Sequence, residues 1–341
     1  MKPLIPDFIE KKYRLGEQQG SLEAYVLFID LTDFTPLTAR MMKKGKDGAE
    51  ELSVLLNGIF SPLVKIVYER GGFIPYFAGD AFTGIFPLSA DALTPYDFLQ
   101  TAVEIRDLVR GLPPVEDFRV GAKLGVAIGC VDWGIVGGRH KSFYFRGEAV
   151  QASSDAQKLA VEQEIIADER LKNVLSNRVA WQPADDPRFL KLQKAPEYFP
   201  LLSKPKTKIS VKKDIAKHFL PAAVLDFPES GEFRKVISVF ISFEGTYAHD
   251  LLAEFAGVVL ELFDYYGGYF KEIDFGDKGG LMVGFFGVPQ SFENNEQRAL
   301  EFSLDFAAKM NETPVHPDFK YKIGISAGQA FTGIIGGEER C

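Results

Sequence analysis

Residues 25–38 read Tyr-Val-Leu-Phe-Ile-Asp-Leu-Thr-Asp-Phe-Thr-Pro-Leu-Thr, and they join the end of one element to the start of another. The apolar run Tyr25–Ile29 is long enough for a buried strand. It stops at Asp30, and a polar turn then leads into an amphipathic stretch that begins near Pro36. The pattern therefore predicts a carboxylate at a strand end that faces the start of a helix.

This arrangement suits a site for phosphate and metal. A helix N-terminus offers free N–H groups to anionic oxygens, and a nearby carboxylate can hold the divalent cation that accompanies them. The N–H groups would come from Thr32, Asp33, Phe34 and Thr35. The simpler interpretation is that Asp33 or Thr35 only caps the helix. A second carboxylate in a matching context favours the phosphate-metal interpretation.

That second carboxylate lies in residues 71–86, Gly-Gly-Phe-Ile-Pro-Tyr-Phe-Ala-Gly-Asp-Ala-Phe-Thr-Gly-Ile-Phe. The stretch predicts two short strands joined at Ala78-Gly79-Asp80. A Gly-Asp pair at a turn needs no functional explanation by itself. If the strands pair with the strand before Asp30, however, the two carboxylates form the platform that a two-metal phosphoryl-transfer site requires.

The segments around Asp30 and Asp80 resemble the two metal-binding segments of class III nucleotidyl cyclases, in particular the tandem-domain soluble adenylyl cyclases. The resemblance covers about residues 22–160 and 234–341. It implies an α+β fold with two ferredoxin-like cyclase domains in a pseudo-twofold tandem, each with helices on one face of its sheet. It also implies that Asp30, Asp80 and the backbone carbonyl of Leu31 hold two Mg²⁺ or Mn²⁺ ions.

Two further positions can be compared with this family. Lys123 interrupts an apolar strand, which is costly unless its amine reaches water or an anion. The resemblance implies that it contacts the terminal phosphates, and snorkelling to solvent is the alternative. An Asn and, four residues later, an Arg complete family sites, but Gln151 and Asp155 stand at those positions. The first domain is therefore expected to hold metals without completing its own site.

The chain also contains an internal repeat. The glycine-rich stretch at residues 125–138 recurs at residues 324–337, and Lys123 maps to Lys322 at the same offset. The repeat predicts that a second domain with the same arrangement of strands follows the first.

The second copy differs from the first at the predicted metal site. Residues 26–30 map onto residues 238–242, so that Ser242 replaces Asp30, while Asp277 still occupies the second hairpin tip. Because class III sites are built across a domain interface, this asymmetry implies one working site and one degenerate site.

Recognition of the base stays open. Adenylyl cyclases carry a Lys four residues before the hairpin tip, and guanylyl cyclases carry a Glu there. That spacing from Asp277 falls on Ile273, and a one-residue insertion would bring Lys271 or Glu272 into register. The resemblance to the tandem soluble group favours ATP. A guanylate cyclase, a catalytically silent nucleotide-binding module and a purely structural α+β protein are the alternatives.

The predicted organisation is an N-terminal lead-in at residues 1–21, a first cyclase domain at 22–165, a linker at 166–233 and a second domain at 234–341. The second domain is expected to be incomplete, because the first continues after its glycine pair with a strand and a helix. We therefore expect weak or no turnover by this chain alone, and further C-terminal domains in a longer natural chain.

The composition of the chain argues against two classes of binding partner, nucleic acids and membranes. The formal net charge of −8 argues against non-specific binding to nucleic acid. Only 2 cysteines occur, so a disulfide framework is not expected. No run approaching 18 uncharged apolar residues and no signal-peptide core are evident in the sequence. These features predict a cytoplasmic protein without a membrane partner.

Overall fold

A computed structural model describes residues 3–89, 93–115, 117–175, 179–195, 213–227, 231–245, 248–276, 279–312 and 319–341. In this part of the chain, helices pack against two separate β-sheets. The predicted mixed α+β fold is confirmed.

The first sheet is built around one central strand. Strand β1 is antiparallel to both of its neighbours, β3 and β4, and the order across the sheet is β2-β3-β1-β4-β6-β8-β7, with β5 also paired to β4. Its strands are β1 Gln19–Thr32, β2 Phe77–Ala78, β3 Ala81–Pro87, β4 Gly121–Val136, β5 Ser142–Arg146, β6 Ile165–Asp168, β7 Ala180–Pro183 and β8 Phe189–Lys194.

The second sheet repeats the central part of the first. Its order is β10-β11-β9-β12, which matches β2-β3-β1-β4. The register matches as well, because Lys123 lies opposite Asp30 and Lys322 lies opposite Ser242. The internal repeat in the sequence therefore corresponds to a repeated strand arrangement. The strands are β9 Glu232–Glu244, β10 Tyr269–Gly276, β11 Gly279–Phe286 and β12 Lys320–Thr332.

Helices lie on both faces of the first sheet. The helices of the described part are α1 Asp7–Arg14, α2 Phe34–Lys43, α3 Lys46–Glu69, α4 Pro95–Arg110, α5 Glu148–Leu159, α6 Glu169–Val174, α7 Lys213–Phe219, α8 Ala222–Leu225, α9 His249–Tyr265 and α10 Asn295–Glu312. Buried side chains of α3 and α4, such as Phe60 and Phe98, share one core with Leu27 and Ile29 of β1.

Helix α5 covers the opposite face, where Ala149 and Val150 pack with Val26. The expectation that helices cover only one face was therefore wrong for this sheet. Gly125 of β4 explains why α5 can lie there. A Cβ at Gly125 would stand 1.9 Å from the carbonyl oxygen of Ser153 and 2.5 Å from the backbone nitrogen of Gln157. Only glycine allows the helix backbone to approach so closely.

Helix α3 is long and apolar. By length and composition alone, Lys46–Glu69 is apolar enough to cross a membrane. Its buried residues, among them Leu56, Phe60 and Leu63, belong to the core that covers the first sheet. The apolar length of this helix is therefore explained by its packing on that sheet.

The stretch predicted as a linker, residues 166–233, is ordered at its start. Strand β6 pairs parallel to β4, and β8 and β7 extend the sheet beyond it. Ile166 and Phe189 are buried in a small cluster with residues of α5. The first sheet therefore continues past residue 165. Much of the proline-rich middle of this stretch lies outside the described residues.

The packing of α5 can be tested with a matched pair of glycines. Gly125→Ala forces α5 away from β4, and we expect a loss of about 1–3 kcal/mol in the free energy of unfolding. Gly324 occupies the same repeat position, but a Cβ there meets no atom within 4 Å. Gly324→Ala should therefore leave stability almost unchanged. Denaturant unfolding of both variants checks this, and equal losses would contradict the account.

Candidate functional site

Strand pairing brings the two predicted metal carboxylates to the same place. Asp30 lies opposite Ala81, the first residue of β3, and the N–H of Leu31 donates to the backbone carbonyl of Asp80 at 3.1 Å. The turn before β3 uses Gly79 with φ +68°, a conformation that favours glycine. The end of β1 and the tip of the β2–β3 hairpin are thus tied directly.

The electrostatics of the pair favour a cation. Burial raises the pKa of Asp30, and the negative charge of Asp80 raises it further. The charge of Lys123 and a hydrogen bond from Gln157 lower the pKa of Asp30. Burial also raises the pKa of Asp80. Two half-buried carboxylates that repel each other bind either a proton or a metal ion more readily than isolated surface carboxylates do.

The start of α2 is open to an anion. Asp33 stands at the N-cap with φ +61°, and no side chain caps the helix. The first bond of the helix runs from the N–H of Leu37 to the carbonyl of Asp33. The hydroxyl of Thr32 accepts the N–H of Gly121 and so ties β1 to β4. The simple capping role considered for Asp33 and Thr35 is therefore absent from this structure.

The donor set suits a hard divalent cation. Carboxylate and carbonyl oxygens are the ligands that Mg²⁺ and Mn²⁺ prefer. Among the described residues, no cluster of three or more His, Cys, Asp or Glu side chains could hold a metal alone. Asp30 and Asp80 therefore fit ions that bind together with a ligand carrying its own oxygens, as a triphosphate does.

Gln157 is a site residue that sequence reasoning missed. Its side-chain amide donates to Oδ2 of Asp30 at 3.0 Å from the last part of α5. The approach of α5 at Gly125 places it there. Together with Asp30 it lines a cavity of about 260 Å³, which Asp274 and Phe275 of β10 also line. Nothing in the sequence between residues 30 and 157 signals this contact, because it depends on which face of the sheet α5 covers.

Gln151 and Asp155, which stand where the resemblance to the cyclases implies Asn and Arg, are hydrogen-bonded to each other. The amide of Gln151 donates to Asp155 at 3.1 Å, and Lys158 contacts the same carboxylate at 3.0 Å. Among the described residues that line the Asp30 cavity there is no arginine and no asparagine.

The residues predicted to read the base lie in a second cavity. Lys271 donates to the carbonyl of Phe77 at 2.8 Å and to Oε1 of Glu272 at 3.0 Å. Glu272 is buried, burial raises its pKa, and its Oε2 has no hydrogen-bond partner. Both residues line a cavity of about 440 Å³ together with Gly79.

The structure therefore joins some predicted residues and separates others. It brings Asp30, Leu31, Asp80 and Lys123 together at the end of β1, beside the start of α2 with Thr32, Asp33, Phe34 and Thr35. It places Lys271 and Glu272 in the larger cavity, with Phe77 and Gly79 of the hairpin. Asp277, the expected second hairpin tip, lies outside the described residues.

The chain is similar in sequence to adenylate and guanylyl cyclases. No protein-family model matches it. Adenylate cyclase type 10 of Rattus norvegicus is 23% identical over 363 residues, which cover 92% of this chain and 22% of that protein. A membrane guanylyl cyclase of Dictyostelium discoideum is 23% identical over 201 residues, or 58% of this chain and 13% of that protein. The chain thus spans about a fifth of the length of the adenylate cyclase that it matches.

One solved structure shares the fold across almost the whole chain. It is a class III adenylyl cyclase-like ATP-binding protein from Pseudomonas aeruginosa, with a TM-score of 0.62 and 10% identity over 94% of this chain and 77% of that chain. The sequence relatives and this shared fold agree with the motifs around Asp30 and Asp80. The chain is thus similar in sequence to adenylate and guanylyl cyclases, and it shares its fold with a class III adenylyl cyclase-like protein.

Proposed function

We propose that this chain is the catalytic region of an adenylate cyclase that converts ATP to 3′,5′-cyclic AMP and pyrophosphate. The observation that carries the proposal is the pairing of Asp30 with Asp80 beside the open start of α2. Similarity to an adenylate cyclase over most of the chain supports ATP as the substrate. The two sheets would form a pseudo-twofold tandem, and the protein would act in the cytoplasm.

The residues of this chain have distinct roles in the proposed reaction. Asp30, Asp80 and the carbonyl of Leu31 would hold two Mg²⁺ or Mn²⁺ ions. When bound, such ions acidify the ribose 3′-hydroxyl and neutralise the triphosphate. The N–H groups from Thr32 to Thr35 bind the phosphate oxygens at the helix N-terminus. Lys123, opposite Asp30, adds a positive charge on the same face of the sheet.

Lys271 and Glu272 are the candidates for binding the base. A lysine amine can only donate, which suits the ring nitrogens of adenine as acceptors. A carboxylate accepts, which suits the N–H groups of guanine. The unpartnered Oε2 of Glu272 favours a base that offers donors, so guanylate cyclase remains the alternative within this family.

A catalytically silent nucleotide-binding module is the second candidate function. The mutual hydrogen bond of Gln151 and Asp155, and the lack of arginine and asparagine among the described residues that line the Asp30 cavity, favour it. The cyclase-like structure with the shared fold is described as an ATP-binding protein. Binding with and without turnover separates the two functions.

Removal of one metal carboxylate tests the site. Asp30→Asn or Asp80→Asn should abolish Mn²⁺-dependent binding of a non-hydrolysable ATP analogue, because each carboxylate supplies several kcal/mol of charge stabilisation. Isothermal titration measures the affinity. Asp117→Asn is the matched control, since this side chain is exposed and pairs with Arg40 at the surface, outside the proposed site. Unchanged affinity in both metal-site variants would refute the assignment.

The raised pKa of Asp30 predicts a pH-dependent effect on stability. Its pKa in the folded protein exceeds the ordinary 3.8, so the folded state holds the proton more tightly than the unfolded chain. Ionisation of Asp30 therefore lowers the free energy of unfolding once the pH rises above 3.8. Without metal, Asp30→Asn should raise the melting temperature near neutral pH, and the gain should vanish as the pH falls towards 3.8.

Thermal unfolding over a pH series measures this effect. Asp117→Asn is the control, because Asp117 is exposed and pairs with Arg40 only at the surface, where ion pairs contribute little. With Mn²⁺ and the ATP analogue present, the order should reverse, because only the unsubstituted protein gains stability from the ligand. A lower melting temperature for metal-free Asp30→Asn at neutral pH would contradict the predicted repulsion.

Turnover decides between the two functions. We expect the 341-residue chain to bind Mg²⁺–ATP but to form negligible cyclic AMP. Gln151 and Asp155 replace the Asn and Arg of family sites, and the loss of each such transition-state donor costs about 10² to 10³ in rate. Where the natural protein continues, its downstream residues should restore Asp80-dependent turnover. Assays of cyclic AMP and of cyclic GMP in parallel measure it. Binding without either product in the longer protein would support the silent module.

A further inference from the structure

The hairpin that carries Asp80 has little support from its own pairing. Strand β2 contributes two residue pairs, Phe77 with Phe82 and Ala78 with Ala81. The chain enters β2 through residues 73–76, which lie outside the helices and strands apart from one bridge to Ile85. The position of the hairpin therefore depends on what holds this entry segment.

Arg340 holds the entry segment. The residue is 5% exposed, and its guanidinium donates from Nε to the carbonyl of Ile74 at 3.1 Å and from Nη2 to the carbonyl of Pro75 at 2.6 Å. A third donation reaches the carbonyl of Pro3 at 3.3 Å. A planar guanidinium can satisfy several carbonyls at fixed angles, which a lysine amine cannot do in the same way. Buried carbonyls without a partner would be costly.

Two residues of β10 hold the next part of the hairpin. The hydroxyl of Tyr76 donates to Oδ1 of Asp274 at 3.0 Å. The amine of Lys271 donates to the carbonyl of Phe77 at 2.8 Å. Four consecutive residues of the first repeat, 74–77, are thus each bonded to a residue that belongs to the second repeat.

We propose that Arg340 is a positioning residue for Asp80, and that the second repeat sets the cation affinity of the carboxylate pair in the first by clamping residues 74–77. Without the clamp, the carbonyls of Ile74 and Pro75 must turn towards water, and Asp80 then moves relative to Asp30. The effect on the cation rests on the proposed function, whereas the clamp on the backbone can be measured without any metal.

The test uses Arg340→Met, which keeps length but removes the donors, and Arg340→Lys, which keeps the charge. Hydrogen exchange at the Leu31 amide reports on the hairpin, because this N–H bonds to the Asp80 carbonyl. We expect faster exchange at Leu31 in Arg340→Met and an Mn²⁺ affinity lower by about tenfold in the presence of the ATP analogue, with Arg340→Lys intermediate.

Asn295→Ala is the matched control for lost stability. Asn295 is a buried polar residue of the second repeat, and its side chain bonds Ser291 and Phe292 rather than the hairpin. We expect this variant to be less stable, with unchanged exchange at Leu31 and unchanged Mn²⁺ affinity.

The possible outcomes test separately whether Arg340 clamps residues 74–77 and whether this clamp positions Asp80. Unchanged Leu31 exchange in Arg340→Met would overturn the clamp, whatever the metal does. Faster exchange with unchanged Mn²⁺ affinity would overturn its role in positioning Asp80. If the unsubstituted protein bound no Mn²⁺ with the analogue, the proposed function would fail, and the exchange measurement alone would decide whether Arg340 clamps the hairpin.

Discussion

The structure depends on the pairing of β1 with two antiparallel neighbours. A strand with partners on both sides has its register fixed twice, and a slip of one residue would turn its buried face outward. In this register Asp30 lies beside Ala81 on one side and Lys123 on the other. The same register carries Leu31 to the carbonyl of Asp80. The candidate site is thus a consequence of how the core strand is held.

The equivalent strands β4 and β12 of the two repeats differ in how far they are buried. Strand β4 is largely buried, because α5 covers one face and β5 and β6 pair along its outer edge. Strand β12 has the same place in the second sheet but is mostly exposed, with Ile325 at 40% and the neighbouring Phe240 of β9 at 41%. The space next to the Cα of Gly125 is occupied by the backbone of α5, whereas the space next to the Cα of Gly324 is empty within 4 Å. The repeated strands are therefore placed in two different surroundings.

Residues of the Asp80 hairpin line two cavities of different character. The Asp30 cavity is small and holds the carboxylate with its Gln157 partner. The larger cavity is lined mainly by apolar and aromatic side chains, with Lys271, Glu272 and Arg340 as charged groups. A buried charge is tolerated only when it is paired or hydrogen-bonded. Lys271 and Arg340 meet this condition with backbone carbonyls of the segment that leads into the hairpin.

The sequence by itself determined the local chemistry. The apolar run before Asp30, the Gly-Asp turn at residue 80 and the glycine-rich repeat are patterns within a few residues, and strand period and turn chemistry suffice to interpret them. They led to the mixed α+β fold, to the pairing of the two strands that carry Asp30 and Asp80, and to the resemblance to the cyclases. The assignment of these residues to a metal and a nucleotide remains a proposal.

Only the tertiary structure decided which distant residues meet. The contact of Gln157 with Asp30 requires α5 to cross Gly125 on one face of the sheet, and the contact of Arg340 with Ile74 and Pro75 requires two repeats to pack together. Strands β6 to β8 continue the first sheet beyond β4. Such contacts arise from long-range packing, in which side chains far apart in sequence compete for the same space, and no local pattern records the result.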